Sequence, residues 1–117
     1  MISLNIELNF GSLVLQAELF ATPVAQQFAE HLPYTISLVQ WGYELYGPIC
    51  YDLGVHAPVP EIPRGGIAYS GQGGYLCVFF GQTPAWPVEH IGMILDSGWK
   101  ELLKVKSFST MTVSAKT

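Results

Sequence analysis

Side chains with chemical potential are concentrated in a short segment, residues 41–46, with the sequence WGYELY. Glu44 and Tyr46 lie on one face of an extended chain, because side chains alternate between the two faces of a strand. A carboxylate beside aromatic surface can have a raised pKa and act as an acid or a base. The favoured alternative is a structural role, in which Glu44 accepts backbone N–H groups where the strand bends near Gly42. The sequence leaves both roles open.

A second group of aromatic side chains lies beside two predicted loops, where such residues often line ligand clefts. Phe79 and Phe80 point to opposite faces of a strand, so at least one of them belongs to the core. Trp86, between Ala85 and Pro87, is the better candidate for a partly exposed contact. Together the two groups give six candidate ligand-binding residues: Trp41, Glu44, Tyr46, Tyr69, Phe80 and Trp86.

Several other kinds of chemistry are disfavoured by the motifs. Gly71 to Gly74 is glycine-rich but lacks the Gly-Lys-Ser/Thr of a phosphate-binding loop, so we interpret it as a hairpin turn. Cys50 and Cys77 form no Cys-x-x-Cys pair, and the histidines lack metal-ligand spacing. No nucleophile motif is present. We therefore predict no metal site, no cofactor and no assigned catalytic residue.

Composition and charge bound the class of protein. The chain has 117 residues, 50% hydrophobic and only 12% charged, with a net charge of −4, which is typical of one globular domain over residues 1–117. Residues 1–99 hold eight acidic side chains and a single basic one, Arg64, while the last 18 residues hold four lysines and one acid. Because residues 1–99 are strongly anionic, we expect neither binding to nucleic acid nor electrostatic anchoring to a membrane.

The two cysteines and the N-terminal segment predict a location. A reduced compartment suits two buried thiols, and the first residues alternate in polarity without the basic start of a signal peptide. The longest charge-free stretch, residues 65–88, contains six glycines and two prolines and so predicts strands and turns, not a membrane span. We expect a cytoplasmic protein.

The elements that must position these residues begin with a hairpin and a helix. Apolar residues alternate with polar ones from Ile2 to Phe10 and again from Leu13 to Leu19, which predicts two paired strands. Thr22 and Pro23 are typical of a helix start, and Pro33 ends the helix.

The rest of the chain predicts further strands. Period-two alternation resumes at Tyr34 and changes phase near Gln40, which predicts a bulge or bend at Gly42. Residues 47–66 read as a long loop, and the apolar run 75–80 as a strand covered on both faces at the centre of the sheet. A strand at 91–95, a short helix at 97–105 capped by Ser97, and a strand at 107–115 follow. The pattern predicts a mainly β fold, a closed barrel of about eight strands with two short helices.

Three stretches resemble a known family. Residues 18–28 (ELFATPVAQQF) resemble the opening of cyclophilins. Residues 41–46 and the stretch 65–84, above all LCVFFGQTP, are similar to signature segments of small prokaryotic cyclophilin-like proteins. This chain has Gly66 where that family usually has an acidic residue, and Ser70 where it usually has an aromatic one. The resemblance implies a cyclophilin-type barrel with helices packed into it and carries no settled activity.

Prolyl isomerisation is the activity that true cyclophilins would suggest. Their catalytic arginine lies on the strand after the first helix, and the corresponding residues 37–41 (SLVQW) contain no cation. Arg64, the single arginine, lies in the predicted loop. The favoured interpretation is a non-catalytic module that binds a small molecule or short peptide. The alternatives are an enzyme, either a residual prolyl isomerase or one using Glu44, and a homo-oligomeric structural protein.

Overall fold

The computed structural model describes residues 3–104 and 108–116, which form nine strands, one α-helix and one 3-10 helix. The helices are α1 (Pro23–Glu30) and the 3-10 helix α2 (Gly98–Leu103). The strands are β1 (Leu4–Asn9), β2 (Val14–Leu19), β3 (Tyr34–Ser37), β4 (Val39–Trp41), β5 (Glu44–Pro48), β6 (Gly66–Ser70), β7 (Tyr75–Phe79), β8 (Glu89–Ile94) and β9 (Thr110–Ala115). The mainly β class and the two short helices are confirmed.

All nine strands belong to one sheet with the order β3-β9-β1-β2-β8-β6-β7-β5-β4. The two ends of that order, β3 and β4, are consecutive in the chain and are separated only by Leu38. One extended segment therefore pairs first with β9 and then with β5, which nearly closes the sheet into a barrel. Gly47 of β5 lies against Ser37 and Ile36 of β3 at this seam, where a Cβ atom would collide with the Ser37 carbonyl oxygen.

The predicted hairpin and helix at the start of the chain are confirmed. β1 and β2 pair in register from Leu4 with Leu19 to Asn9 with Val14. The hydroxyl of Thr22 accepts a 3.3 Å hydrogen bond from the backbone N–H of Ala25, which caps α1. Among the residues described, no helix has the length and apolarity needed to cross a bilayer.

The bulge or bend predicted at Gly42 is a hairpin turn. β4 and β5 pair from Val39 with Tyr46 to Trp41 with Glu44, which leaves Gly42 and Tyr43 as a two-residue loop. Gly42 has φ of 60°, as the first loop position of a type II′ turn requires. The phase changes because the chain reverses direction there, not because a residue is inserted into one strand.

The apolar run of β7 is covered on both faces, as predicted. Leu76 and Val78 belong to the main core, which fills the barrel and includes Phe28 of α1. Cys77 and Phe79 belong to a second cluster on the outer face of the sheet, with Ile62, Ala68 and Val88. The long loop 49–65 contributes Ile62 to this cluster, and an isolated bridge joins its Val59 to Val88. A second layer therefore lies outside the barrel wall.

The C-terminal third differs from expectation in one detail. The predicted helix at 97–105 is the shorter α2, and Ser97 does not cap it: its φ is 55° and its side chain makes no capping hydrogen bond. A left-handed backbone at Ser97 turns its side chain away from the free N–H groups of the first turn. Three predicted boundaries lie outside the described residues: the strand starts at Ile2 and Ser107, and the helix end at Val105.

Candidate functional site

A cavity of about 350 Å³ lies on the outer face of the barrel. Its floor is formed by β4, β5, β6 and β7, and it is covered by the roof loop, residues 80–88 between β7 and β8. Most of the surface is aromatic or aliphatic. The lining residues are Trp41, Glu44, Tyr46, Ser70, Tyr75, Cys77, Phe79, Pro84, Ala85, Trp86 and Val88.

Strand register brings the floor residues together. Glu44 is opposite Trp41 of β4 on one side and opposite Phe79 of β7 on the other. Tyr46 is opposite Cys77, which places Cys77 diagonally across from Glu44, within reach of a long side chain. The side chains of these residues all point to the outer face of the sheet. The floor therefore depends on the hairpin at Gly42, which pairs β4 with β5, and on the pairing of β5 with β7.

The roof loop is fixed to the floor by a hydrogen bond from Trp86. Its indole Nε1 donates to the hydroxyl of Ser70 at 2.7 Å, and that hydroxyl donates to the carbonyl oxygen of Gln72 at 3.1 Å. Trp86 remains 39% exposed, so its ring lies between the cavity and solvent. A ligand entering the cavity would contact this ring.

Glu44 is the acidic group of the cavity and is only 7% exposed. Burial raises its pKa above the ordinary value of a glutamate, and the Cys77 thiol, facing the carboxylate as a hydrogen-bond donor, partly opposes that rise. Burial, and then the neighbouring Glu44, raise the pKa of the Cys77 thiol far above its usual range. Cys77 therefore stays protonated at neutral pH and is not a nucleophile, while Glu44 holds its proton to a higher pH than an exposed carboxylate does.

Four of the six predicted site residues meet at this cavity: Trp41, Glu44, Tyr46 and Trp86. The bend at Gly42 is a hairpin turn, and the partner shown for the Glu44 carboxylate is the Cys77 thiol. The structural role predicted for Glu44, accepting backbone N–H groups at that bend, stays a prediction.

Tyr69 and Phe80 do not line the cavity, which corrects the predicted set. Both belong to the main core, 1% and 3% exposed. The Tyr69 hydroxyl donates to the carbonyl oxygen of Tyr51 and accepts from the N–H of Leu53, so it holds the long loop in place. Phe80 packs edge-on against Tyr43. Strand alternation gives each of them the opposite parity to the cavity residues.

Arg64, the cation considered for prolyl isomerisation, lies elsewhere. Its guanidinium carbon is 5.9 Å from the ring centroid of Trp99, and Lys100 lies at the same distance from that ring. Neither residue lines the cavity. In residues 3–104 and 108–116, no three His, Cys, Asp or Glu side chains are grouped as metal ligands.

Comparison with protein families adds an observation that covers nearly all of the chain. The family described as Cyclophilin-like matches residues 4–114. This chain belongs to the cyclophilin-like family. The resemblance seen in its sequence is thereby confirmed.

Two solved structures share the fold of this cyclophilin-like chain. The solution structure of the hypothetical protein AF2241 from Archaeoglobus fulgidus matches with a TM-score of 0.79 and 24% identity, over 98% of this chain and 96% of that one. McbB, solved in complex with tryptophan, matches with a TM-score of 0.71 and 17% identity, over 97% of this chain and 44% of McbB. At such identities these matches show the fold alone. No curated protein matches the chain.

Sequence reasoning missed several lining residues of this cyclophilin-like chain. Tyr75, Cys77 and Phe79 alternate along β7, so their common face was readable from the sequence, but the apolar run gave no reason to place that face outside the barrel. Ser70 had a clearer signal. The resemblance in sequence marks it as a departure from the family pattern, and the structure shows the Trp86 indole hydrogen-bonded to it.

Proposed function

We propose that this cyclophilin-like chain is a non-catalytic binding module whose outer cavity takes a small molecule or a short peptide segment. The observation that carries the proposal is the cavity itself: about 350 Å³, walled by aromatic side chains, with the buried carboxylate of Glu44 in its lining. Ligand pockets commonly measure roughly 300–1,000 Å³ and combine apolar walls with few polar groups. The volume suits one small molecule or one or two side chains of a peptide.

The chemical groups that line the site favour ligand binding over catalysis. The cavity brings together Glu44 and a protonated thiol, and of the residues described none of the others lining it is an ionic group that would complete an acid–base pair. Aromatic side chains such as Trp41 and Trp86 offer large contact area at low conformational cost. One structural relative was solved with tryptophan, so that amino acid belongs among the compounds to test.

A second candidate function is acid–base catalysis by Glu44. The observation favouring it is the buried position of this carboxylate with its raised pKa at the base of a cavity. An enzyme of this kind would consume a ligand that the binding module only holds. Product analysis by mass spectrometry after incubation with each identified ligand distinguishes the two functions.

Residual prolyl isomerisation is tested separately. A peptide-based isomerase assay compares the wild type with Arg64→Ala, which removes the cation stacked against Trp99. We expect no rate enhancement from either protein, because the guanidinium does not line the cavity. Enhancement in the wild type that Arg64→Ala abolishes would contradict a non-catalytic module.

The experiment for the binding function is a thermal-shift screen against metabolite and peptide libraries. Wild type is compared with Trp86→Ala, which removes the ring between cavity and solvent, and with Tyr51→Ala. Tyr51 is a matched control because its ring is 44% exposed, stacks on His31 and does not line the cavity. A ligand present at about 100 times its Kd stabilises the folded state by about 2.7 kcal/mol, a readily measured shift.

The expected result is a ligand that raises the melting temperature of the wild type and Tyr51→Ala but not of Trp86→Ala. Glu44→Gln should also lose ligand while keeping most of its melting temperature. A ligand equally effective on Trp86→Ala would place the binding site elsewhere. Two libraries without any stabilising compound would count against the proposal.

A further inference from the structure

The described lining of the cavity has an acidic side chain and no basic one. Glu44 is the acidic group of its lining, and no Lys, Arg or His is found among the lining residues within the part of the chain the structure describes. The cations Arg64 and Lys100 are stacked on Trp99, away from the site. An ionised Glu44 therefore has no cation among the described lining residues to offset the cost of burying its charge.

Glu44 also has free acceptor capacity. A carboxylate offers about four lone-pair positions, and a thiol is a single weak donor. Within the described ranges, Cys77 is the partner shown for this carboxylate. A ligand with several N–H groups would fill the remaining positions with charge-assisted hydrogen bonds, which are stronger than neutral ones.

The walls favour the same kind of ligand. Five aromatic side chains line the cavity: Trp41, Tyr46, Tyr75, Phe79 and Trp86. Tyr46 and Tyr75 stand edge to face, with ring centroids 5.3 Å apart and planes at 74°. The face of an aromatic ring carries negative partial charge and attracts ammonium groups within roughly 6 Å. Rings around a carboxylate therefore reinforce its preference for a cation.

We infer that the cavity binds a protonated organic amine, with the ammonium group against Glu44 and the apolar body against the aromatic side chains. The inference rests on the proposed binding function and names the chemical class of its ligand. An anionic ligand is repelled by Glu44, and a neutral ligand leaves the carboxylate without a charged partner. The ammonium can belong to a free small amine or to a lysine side chain of a peptide.

The test compares three compounds of similar size that differ mainly in charge: tryptamine (cationic), tryptophol (neutral) and indole-3-acetate (anionic). An acetylated and amidated Gly-Lys-Gly peptide represents the peptide source. Affinities are measured by isothermal titration calorimetry for the wild type, Glu44→Gln and Glu30→Gln. Glu30 is an exposed residue of α1 outside the cavity, so Glu30→Gln makes the same change in net charge as Glu44→Gln.

We expect tryptamine or the lysine peptide to bind the wild type and Glu30→Gln at least about tenfold more tightly than tryptophol, with indole-3-acetate weakest. In Glu44→Gln this preference should fall to about twofold or less, while tryptophol affinity is kept. Whichever of the two cations binds more tightly identifies the source of the ammonium group.

Three results would overturn the inference: no preference of the wild type for either cation over tryptophol, a cation preference that survives in Glu44→Gln, or no binding by either cation. The first comparison needs no variant, so it holds even if Glu44→Gln does not fold. Tryptophol binding without cation preference leaves the proposed binding function intact. The library screen, which compares the wild type with Trp86→Ala, tests the binding function independently.

Discussion

The indole Nε1 of Trp86 donates a 2.7 Å hydrogen bond to the hydroxyl of Ser70, and both residues line the cavity. Trp86 belongs to the roof loop and Ser70 ends β6, so one bond joins the cover of the site to its floor. Ser70 is buried, at 1% exposure, whereas Trp86 is partly exposed. The position of the roof is therefore set by a rigid strand end.

Removing the hydroxyl at Ser70 should loosen this roof. Ser70→Ala leaves the indole N–H without its partner, and we expect a loss of roughly 0.5–1.5 kcal/mol in the free energy of unfolding, measured with urea. Trp86→Phe removes the donor instead. The double variant should lose less than the sum of the two single variants, because each change breaks the same bond. Additive losses would show that the bond contributes little.

Glu44 makes stability depend on pH. Burial raises its pKa in the folded protein above the ordinary 4.5, so the folded state holds the proton more tightly than the unfolded chain does. The resulting stabilisation is complete below about pH 4.5 and is lost as pH rises through the raised pKa. Glu44→Gln keeps a neutral side chain, so its free energy of unfolding should gain on the wild type as pH increases.

Urea unfolding between about pH 4 and about pH 8 measures this difference, with Glu30→Gln as the control for an exposed glutamate. The difference between Glu44→Gln and the wild type should widen with pH, and that of Glu30→Gln should not. A constant difference for both variants would contradict a raised pKa at Glu44.

The two cysteines should react at very different rates with an aromatic disulfide reagent. Cys50 is exposed, while Cys77 is buried and its pKa is raised by burial and by Glu44, so the reactive thiolate is scarce and hard to reach. Native protein should release one equivalent of chromophore quickly and the second only on unfolding. Cys50→Ser should show almost no fast reaction. Fast labelling of that variant would mean that the cavity floor opens readily.

Gly47 at the barrel seam should not tolerate a side chain. A Cβ atom there would meet the Ser37 carbonyl oxygen and the Ile36 side chain, so we expect Gly47→Ala to cost about 1–3 kcal/mol in urea unfolding. Gly71→Ala is the matched control, because a Cβ there lies 3.2 Å from a side-chain methyl of Val55 in an exposed turn. Equal stability of the two variants would mean that the seam can widen to admit the methyl group.

Local patterns were sufficient for most of the fold. The alternation of residues 2–10 and 13–19 predicts a hairpin, which the structure confirms for the described residues. Its register buries one face, which a shift by one residue would expose. The cap at Thr22 was also readable, because a hydroxyl before a proline has a specific local role. Ser97 shows the limit of such local reasoning. Its backbone is left-handed, which a serine in the sequence does not indicate, and this conformation prevents the expected cap.

The candidate site was predictable only in part. Trp41, Glu44 and Tyr46 all line the cavity, because the tight turn at Gly42 places Trp41 opposite Glu44 on neighbouring strands. Ser70 and Trp86 are 16 residues apart, and their hydrogen bond depends on the path of the roof loop. Nothing in the local sequence specifies that path.

Phe79 and Phe80 illustrate which features the sequence determined and which ones the tertiary structure decided. By itself, the sequence determined that the two rings point to opposite sides of a strand covered on both faces, and that the whole is a mainly β cyclophilin-like fold. Only the tertiary structure decided that Phe79 lines the cavity while Phe80 fills the barrel. The physical reason is that both rings are almost fully buried, so hydrophobicity is satisfied either way, and only the elements packed on each face distinguish a core from a binding site.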